Sequence, residues 1–263
     1  MSTLSGSLSI LSNPQILFYI FKGVLFTIIL SVVAVAFGII IGSILALVRN
    51  YSYANPKHFV KWILASFFRY LSVAYIEIFR NTPLLLWIFV CIVFFPFPES
   101  LSHKMFGLTS VEVKLLFKAA AALILFTSSV IAEIVRGGLN SVPFGQFEAG
   151  HSQGFSTLQI MLYIVLPQAY RNIVPTLLSQ VITTIKDSSY LANIAVIELM
   201  SRMKTLLSSS YNYNGTGTVN VSDVFVLLGF AALIYFVINF TLSMTVRYLQ
   251  KRPNAKRTLI TQN

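Results

Sequence analysis

The sequence predicts an all-α membrane protein with about five transmembrane helices. Of its 263 residues, 56% are hydrophobic and only 10% are charged, and the mean hydropathy is +0.77. Soluble globular chains carry roughly 25% charged residues. The missing charge indicates a surface that faces lipid rather than a single core that faces water.

The first span is predicted at residues 25–48, which carry no charge and are followed by Arg49. At about 1.5 Å per residue, this run crosses a hydrocarbon core about 30 Å thick. The second span, 62–95, is expected to break near Pro83, because proline interrupts the helical hydrogen bonds. Three further spans complete the set: 113–137, 174–197 and 224–246.

The polar segment 138–172 between the third and fourth spans is predicted to be an ordered loop. Pro143 suits the first turn of a helix, and Gly154 suits a C-terminal cap. Ser156 and Gln159 have the spacing of a capping box, which would open a second short helix. A further polar stretch, Ser208–Thr218, is predicted to be a solvated loop on the other side of the membrane.

The charges predict the orientation in the membrane. Lys and Arg total 19 against 8 Asp and Glu, giving a net charge of +11. Because cytoplasmic loops are rich in Lys and Arg, the N-terminus is expected outside and the C-terminus in the cytoplasm. The basic residues lie mainly between and after apolar runs, so we expect no nucleic-acid partner. The basic residues that support this orientation are Arg49, Lys57, Lys61, Arg136, Arg171, Arg247, Lys251, Arg252, Lys256 and Arg257. Lys104 and Lys114 do not fit it, because they lie in a loop predicted to be outside.

Several classes of site are not expected in this chain. The phosphate-binding pattern GxxxxGK[ST] does not occur, and no Ser-His-Asp or metal-ligand spacing stands out. The single cysteine, Cys91, has no partner in the chain for a disulfide. We therefore expect neither an enzyme nor a metal protein.

The middle loop carries the most specific pattern. Glu148, Ala149 and Gly150 are followed by three residues, Gly154, nine residues and then Ile-Val-Leu-Pro at 164–167. This spacing resembles the EAA loop of permease subunits of bacterial ABC importers, although Gly150 stands where the family usually has Ala. The resemblance implies a cytoplasmic coupling helix that contacts an ATPase through Gln146, Glu148, Ala149, Gly150 and Gly154.

Four other segments resemble the polar amino-acid uptake branch of that family, in its RGTP, EIxRGG, PxGQxEA and KDTSL elements. They lie at 79–84, 133–138, 145–149 and 186–189; Asn81, Ser188 and Tyr190 depart from the usual letters. The resemblance covers nearly the whole chain and implies a type I importer permease fold, similar to MetI. It also assigns structural roles to Pro83, Glu133, Arg136, Leu166, Pro167, Arg171 and Lys186.

Charges within the membrane are costly and therefore suggest function. By helix length, Arg80 and Asp187 lie about 20 Å along their spans, near mid-bilayer. Arg80 is predicted to hold the carboxylate of an amino acid and Asp187 its ammonium group. Hydroxyl groups for the same path come from Thr82, Ser188 and Ser189. The open alternative is that these charges neutralise each other, or Lys186 and Glu77.

Five helices are few to enclose a solute path, so a second permease copy or a paralogue is expected. The resemblance also implies two ATPase subunits, an extracytoplasmic solute-binding protein and a location in the bacterial inner membrane. The substrate favoured by the motifs is glutamate, aspartate or glutamine. The alternative function is a stand-alone secondary amino-acid transporter, which the absence of an evident repeat disfavours.

Overall fold

The computed structural model describes residues 8–50, 59–101, 107–209 and 219–258. Its α-helices are α1 (Pro14–Asn50), α2 (Phe59–Arg80), α3 (Leu84–Phe94), α4 (Ser110–Asn140), α5 (Gly145–Ser152), α6 (Thr157–Gln159), α7 (Leu166–Asp187), α8 (Leu199–Ser208) and α9 (Val221–Thr258). A π-helix, Ile160–Val165, joins α6 to α7, and short 3₁₀ turns lie at Ser9–Ser12, Glu99–Leu101 and Ser188–Ile194. The predicted all-α class is confirmed.

Four helical stretches are long and apolar enough to cross a membrane: Pro14–Asn50, Trp62–Arg80, Ser110–Asn140 and Val221–Tyr248. The shorter helix α3 is also apolar. Helix α7 is not among the four, because Gln, Arg, Asn, Ser and Thr residues recur along it.

The expected break in the second span lies between Arg80 and Leu84. Pro83 has no N–H to donate and disfavours helical geometry at the residue before it. Side chains then cap the carbonyl groups at the end of α2. Asn81 Nδ2 donates to Glu77 O at 2.8 Å, and the Thr82 hydroxyl donates to Ile78 O at 2.6 Å.

Residues 174–197, predicted as the fourth span, do not form a single α-helix. Helix α7 begins earlier, at Leu166, and ends at Asp187, where a 3₁₀ turn follows. Local side-chain bonds favour that turn, since Ser188 Oγ donates to Ile185 O at 2.8 Å and Asn193 Nδ2 donates to Tyr190 O at 2.9 Å. Ala195, with φ 54°, then ends the turn in the left-handed region.

Some predictions lie outside the described residues. The outer loop Ser208–Thr218 is described only as far as residue 209, and Lys57 and Lys104 fall outside as well. For Lys61 and for residues 249–258, the structure describes the helical backbone only.

The chain forms two compact units, each built from three separate stretches of sequence. Unit 1 comprises residues 1–34, 84–123 and 182–245, and unit 2 comprises 35–83, 124–181 and 246–263. A core in unit 1 consists of Ile10, Ile20, Leu199, Met203, Leu227 and Ala231. A core in unit 2 consists of Val35, Ala46, Ile131, Val135, Leu139, Val142, Ile160, Val165, Ala169, Ile173 and Leu177.

Candidate functional site

The candidate coupling segment, residues 143–168 of unit 2, begins with the short helix α5. This helix ends as the sequence predicts, because Gly154 has φ +82°, a conformation that L-residues with a side chain rarely adopt. The turn is closed by backbone bonds: Phe155 N donates to Gly150 O at 3.1 Å, and Gly154 N donates to His151 O at 2.9 Å. The loop is therefore well ordered.

The predicted coupling residues divide into a surface and a support. Gln146, Glu148, Ala149 and Gly154 are exposed, whereas Gly150 is buried. A methyl group at Gly150 would lie 2.7 Å from Ile160 Cγ1, closer than carbon atoms normally approach. Gly150 thus lets α5 pack against the π-helix, while its neighbours face outward.

Two sets of hydrogen bonds hold the segment, one within it and one to α7. First, the expected capping box opens α6: Ser156 N donates to Gln159 Oε1 at 2.8 Å, and Gln159 N donates to Ser156 Oγ at 3.4 Å. Second, Gln168 Nε2 donates to Gln146 Oε1 at 3.2 Å and to Ile164 O at 2.9 Å. The second set of bonds therefore ties α5 directly to the start of α7.

The residues that join the loop to α7 differ in burial. Leu166 packs against the core of unit 2, whereas Pro167 and Arg171 are exposed. At the end of α4, a methyl group on Gly138 would overlap the side chain of Ile173 and lie 3.2 Å from Ala169 O. Glycine at this position therefore allows α4 and α7 to approach closely.

A charged cluster in unit 2 surrounds Glu133, whose side chain is only 14% exposed. Arg49 Nη1 lies 2.8 Å from Glu133 Oε1, Arg80 Nη1 lies 3.5 Å from the same oxygen, and Arg136 Nε lies 2.6 Å from Oε2. Arg49 also faces Glu77, at 3.6 Å. Three guanidinium groups against two carboxylates leave this cluster with one net positive charge.

Arg80 and Glu77 each have an ion-pair partner in this cluster. Arg80 pairs with Glu133 rather than with Glu77, and its side chain is still 39% exposed. Thr82 is half-buried, and Pro83 is exposed at the break between α2 and α3. Substrate contact by Arg80 and Thr82 stays a prediction.

The remaining predicted path residues lie in unit 1, where α7 ends. Lys186 is exposed, and Asp187 and Ser189 are half-buried. Ser188 is completely buried, and its hydroxyl donates to Ile185 O at 2.8 Å. In this conformation Ser188 is therefore a weaker candidate for substrate contact than Asp187 or Ser189.

Residues 62–254 match the protein family described as the binding-protein-dependent transport system inner membrane component. The chain belongs to this family. It is 37% identical over 246 residues to the probable glutamine ABC transporter permease protein GlnM of Bacillus subtilis, covering 91% of this chain and 97% of the relative. It is 31% identical over 237 residues to the glutamate/aspartate import permease protein GltK of Escherichia coli O157:H7, covering 89% and 93%.

Solved structures of importers have the same fold. An amino acid ABC transporter crystallised with histidines matches with a TM-score of 0.68 and 26% identity, over 92% of this chain and 97% of that chain. The inward-facing MetNI methionine ABC transporter matches with a TM-score of 0.62 and 21% identity, over 90% and 99%. The type I permease fold is confirmed, and the chain is the permease subunit of an ATP-driven importer.

One polar residue of this permease escaped the sequence analysis. Glu198, in unit 1, is completely buried and caps the start of α8 by accepting hydrogen bonds from Met200 N and Ser201 N. Tyr235 donates its hydroxyl to Glu198 Oε2 at 3.2 Å. A signal was present, since Glu198 is an acidic residue within an apolar run, and such residues are rare in membrane proteins without a role.

Proposed function

We propose that this permease forms the membrane path for a polar amino acid of the glutamine or glutamate/aspartate class. The names of the relatives that cover nearly the whole chain support that class. The polar residues along α7 support a path beside this helix. The candidate substrate contacts are the residues predicted from the sequence: Arg80, Thr82, Asp187, Ser188 and Ser189.

The coupling segment is proposed to dock into an ATPase subunit at the cytoplasmic face. The observation that carries this proposal is the division of α5 into an exposed face, containing Gln146, Glu148 and Ala149, and a buried Gly150 that braces it on the π-helix. Glu148 in the first turn of α5 is favoured by the helix dipole. An exposed face on a rigid support can transmit motion, whereas a loose loop would absorb it.

The proposed assembly contains this permease, a second copy or paralogue, two ATPase subunits that use ATP-Mg, and an extracytoplasmic solute-binding protein. The N-terminus lies outside and the C-terminus in the cytoplasm. ATP binding would bring the ATPase subunits together, move both coupling segments and open the path outward.

Reconstitution in proteoliposomes tests the proposal. The permease is purified with its ATPase, and ATP hydrolysis and uptake are measured with the binding protein, with and without glutamine, glutamate or aspartate. We expect the loaded binding protein to stimulate hydrolysis and uptake together. Uptake by the permease alone, driven by an ion gradient, would instead identify a secondary transporter.

A further inference from the structure

A cavity of about 330 Å³ lies in unit 1 beside the start of α1 and the end of α8. Ligand pockets in proteins measure about 300–1,000 Å³, so this cavity can hold a small ligand or part of a larger one. It is separate from the coupling segment and from the Glu133 cluster, which both belong to unit 2. Five side chains with hydrogen-bonding groups line it: Asn13, Gln15, Tyr19, Thr205 and Ser209.

An arginine of α8 reaches toward this cavity. A methyl group on Gly23 would lie 2.9 Å from Arg202 Cγ, so the stem of the arginine packs on α1 at this glycine. Arg202 Cζ then lies 4.0 Å from the centre of the Tyr19 ring, one turn nearer to the start of α1. Because Tyr19 lines the cavity, the guanidinium group reaches a residue of the cavity wall.

Arg202 has no anionic partner among the residues that the structure describes. Its Nε is buried and forms no hydrogen bond, and none of the ion pairs involves Arg202. Glu198, one turn earlier, instead accepts hydrogen bonds from backbone N–H groups and from the Tyr235 hydroxyl. A buried polar group without a partner is costly and points to an ion or ligand that satisfies it. The charge of Arg202 therefore favours an anion in this cavity.

The guanidinium group of Arg202 lies at the level of lipid headgroups. Residues 23–48 carry no charge, and in a helix they extend about 39 Å, more than the hydrocarbon thickness of about 30 Å. Lys22, which precedes this run, therefore lies at one edge of the hydrocarbon. Tyr19 is about 4–5 Å farther along α1, a distance within a headgroup layer roughly 5–8 Å thick. The anions present in that layer are the phosphate groups of phospholipids.

We propose that this cavity binds the phosphate group of a phospholipid, with Arg202 as the cation. A planar guanidinium group can donate two parallel hydrogen bonds to a phosphate, and stacking on Tyr19 holds it in place. The side-chain amides of Asn13 and Gln15 can donate to the remaining oxygens. Phe18 and Phe21 of the same helix are exposed, so acyl chains find an apolar surface there.

The lipid site and the proposed function are independent. The site does not require any particular transported amino acid, and it can form in either orientation of the chain in the membrane. Failure of one proposal therefore leaves the other standing.

Protection of a cysteine in the cavity tests the proposal in the full importer, held in micelles of a neutral maltoside detergent. In a Cys91→Ser background, Thr205→Cys places one thiol in the cavity wall, and Ser208→Cys places one on the exposed surface of α8 outside it. Each is treated with a water-soluble thiol reagent, with and without short-chain phosphatidylglycerol. With about four-fifths of the sites occupied, the reaction at position 205 should slow about fivefold, because only empty sites react. The reaction at position 208 should not change.

Charge variants in the Thr205→Cys background give the matched comparison. Arg202→Gln should raise the lipid concentration for half-protection about fivefold, the loss expected for one basic residue at a lipid surface. Lys204→Gln is the control, because Lys204 lies on the same helix but donates to Asn193 and does not line the cavity. Equal shifts in the two variants would overturn the role of Arg202.

Other ligands identify the source of the anion. Short-chain diacylglycerol, which lacks the phosphate, should not protect position 205, and neither should inorganic phosphate or glutamate at the concentration at which the lipid protects. Equal protection by diacylglycerol would show apolar binding alone, and equal protection by phosphate or glutamate would show a site for a soluble anion. Either result would overturn the proposal. Equal reaction rates with and without phosphatidylglycerol, with Arg202 unchanged, would overturn it without relying on any charge variant.

Discussion

The coupling segment and the Glu133 cluster both lie in unit 2 and both contain motif residues, but these residues are used in opposite ways. In the coupling segment, Gln146, Glu148 and Ala149 are exposed, so their faces are available to a partner. In the cluster, the Glu133 carboxylate forms ion pairs with three arginines of the same chain. A motif residue can thus serve binding or internal structure, and the two roles predict different consequences of substitution.

The largest effect on stability is expected at Glu133. Glu133→Gln removes the shared partner of Arg49, Arg80 and Arg136 and leaves mutually repelling cations at a mostly buried position. Breaking a buried ion pair in this way costs about 3–5 kcal/mol. Thermal unfolding of the purified importer, followed by size-exclusion chromatography, should show a large loss of folded protein.

The matched control is Glu77→Gln. The Glu77 side chain is 48% exposed and lies 3.6 Å from Arg49, so its loss should cost about 1 kcal/mol or less. If the two variants unfolded at the same temperature, Glu133 would not be the centre of the cluster.

A smaller loss is expected where α4 meets α7. Gly138→Ala would overlap Ile173 and should cost about 1–3 kcal/mol through overpacking. Gly137→Ala is the control, because nothing lies within 4 Å of a methyl group there, and alanine favours a helix. In unfolding measurements, Gly137→Ala should be as stable as the unmodified protein or more stable. Equal stability of the two variants would contradict the close contact between α4 and α7.

Gly150→Ala should have a still smaller effect on stability, because its methyl group would clash less closely with Ile160 than a methyl group at Gly138 would with Ile173. The main consequence should be a tilt of α5 that lowers the ATP hydrolysis stimulated by the binding protein. Ile160→Ala, added to Gly150→Ala, should restore coupling by making room. Gly145→Ala, which meets nothing within 4 Å, should leave coupling unchanged. Normal coupling in Gly150→Ala alone would show that the buried glycine does not position the surface.

The smallest effect on stability, with a large effect on transport, is expected for Glu148→Lys. Glu148 is exposed and forms none of the ion pairs found among the described residues, so unfolding should change little. The reversed charge should nevertheless weaken docking on the ATPase subunit. If the free energy of docking falls by about 1.4 kcal/mol or more, amino-acid uptake should fall at least tenfold. Uptake in proteoliposomes at the unmodified rate would argue against a role of this face in coupling.

The sequence predicted the features that depend on near neighbours. Pro83, Gly154 and the pair Ser156–Gln159 each act within a few residues of the chain, and the break, the cap and the capping box all appear in the structure. The family motifs predicted the fold, because they extend over nearly the whole chain and the family match covers residues 62–254.

The sequence did not predict features that depend on distant residues. Arg49 and Glu133 are 84 positions apart, so their pairing could not be read from spacing. The reason for glycine at 150 appears only when α5 meets Ile160. The end of α7 at Asp187 was not predicted, because hydrogen bonds from side chains to the backbone, such as Ser188 Oγ to Ile185 O, decide the conformation after this residue.

Protection of the coupling face from labelling tests the central claim most directly. In a Cys91→Ser background, Ala149→Cys provides one exposed thiol on α5, and Ser100→Cys provides a control between the second and third spans. Both are treated with a bulky maleimide in inside-out vesicles, with and without the ATPase subunit. We expect the thiol at position 149 to react only in the absence of the ATPase, and the thiol at position 100 to be inaccessible from this side in either case. Equal labelling at position 149 with and without the ATPase would contradict the account.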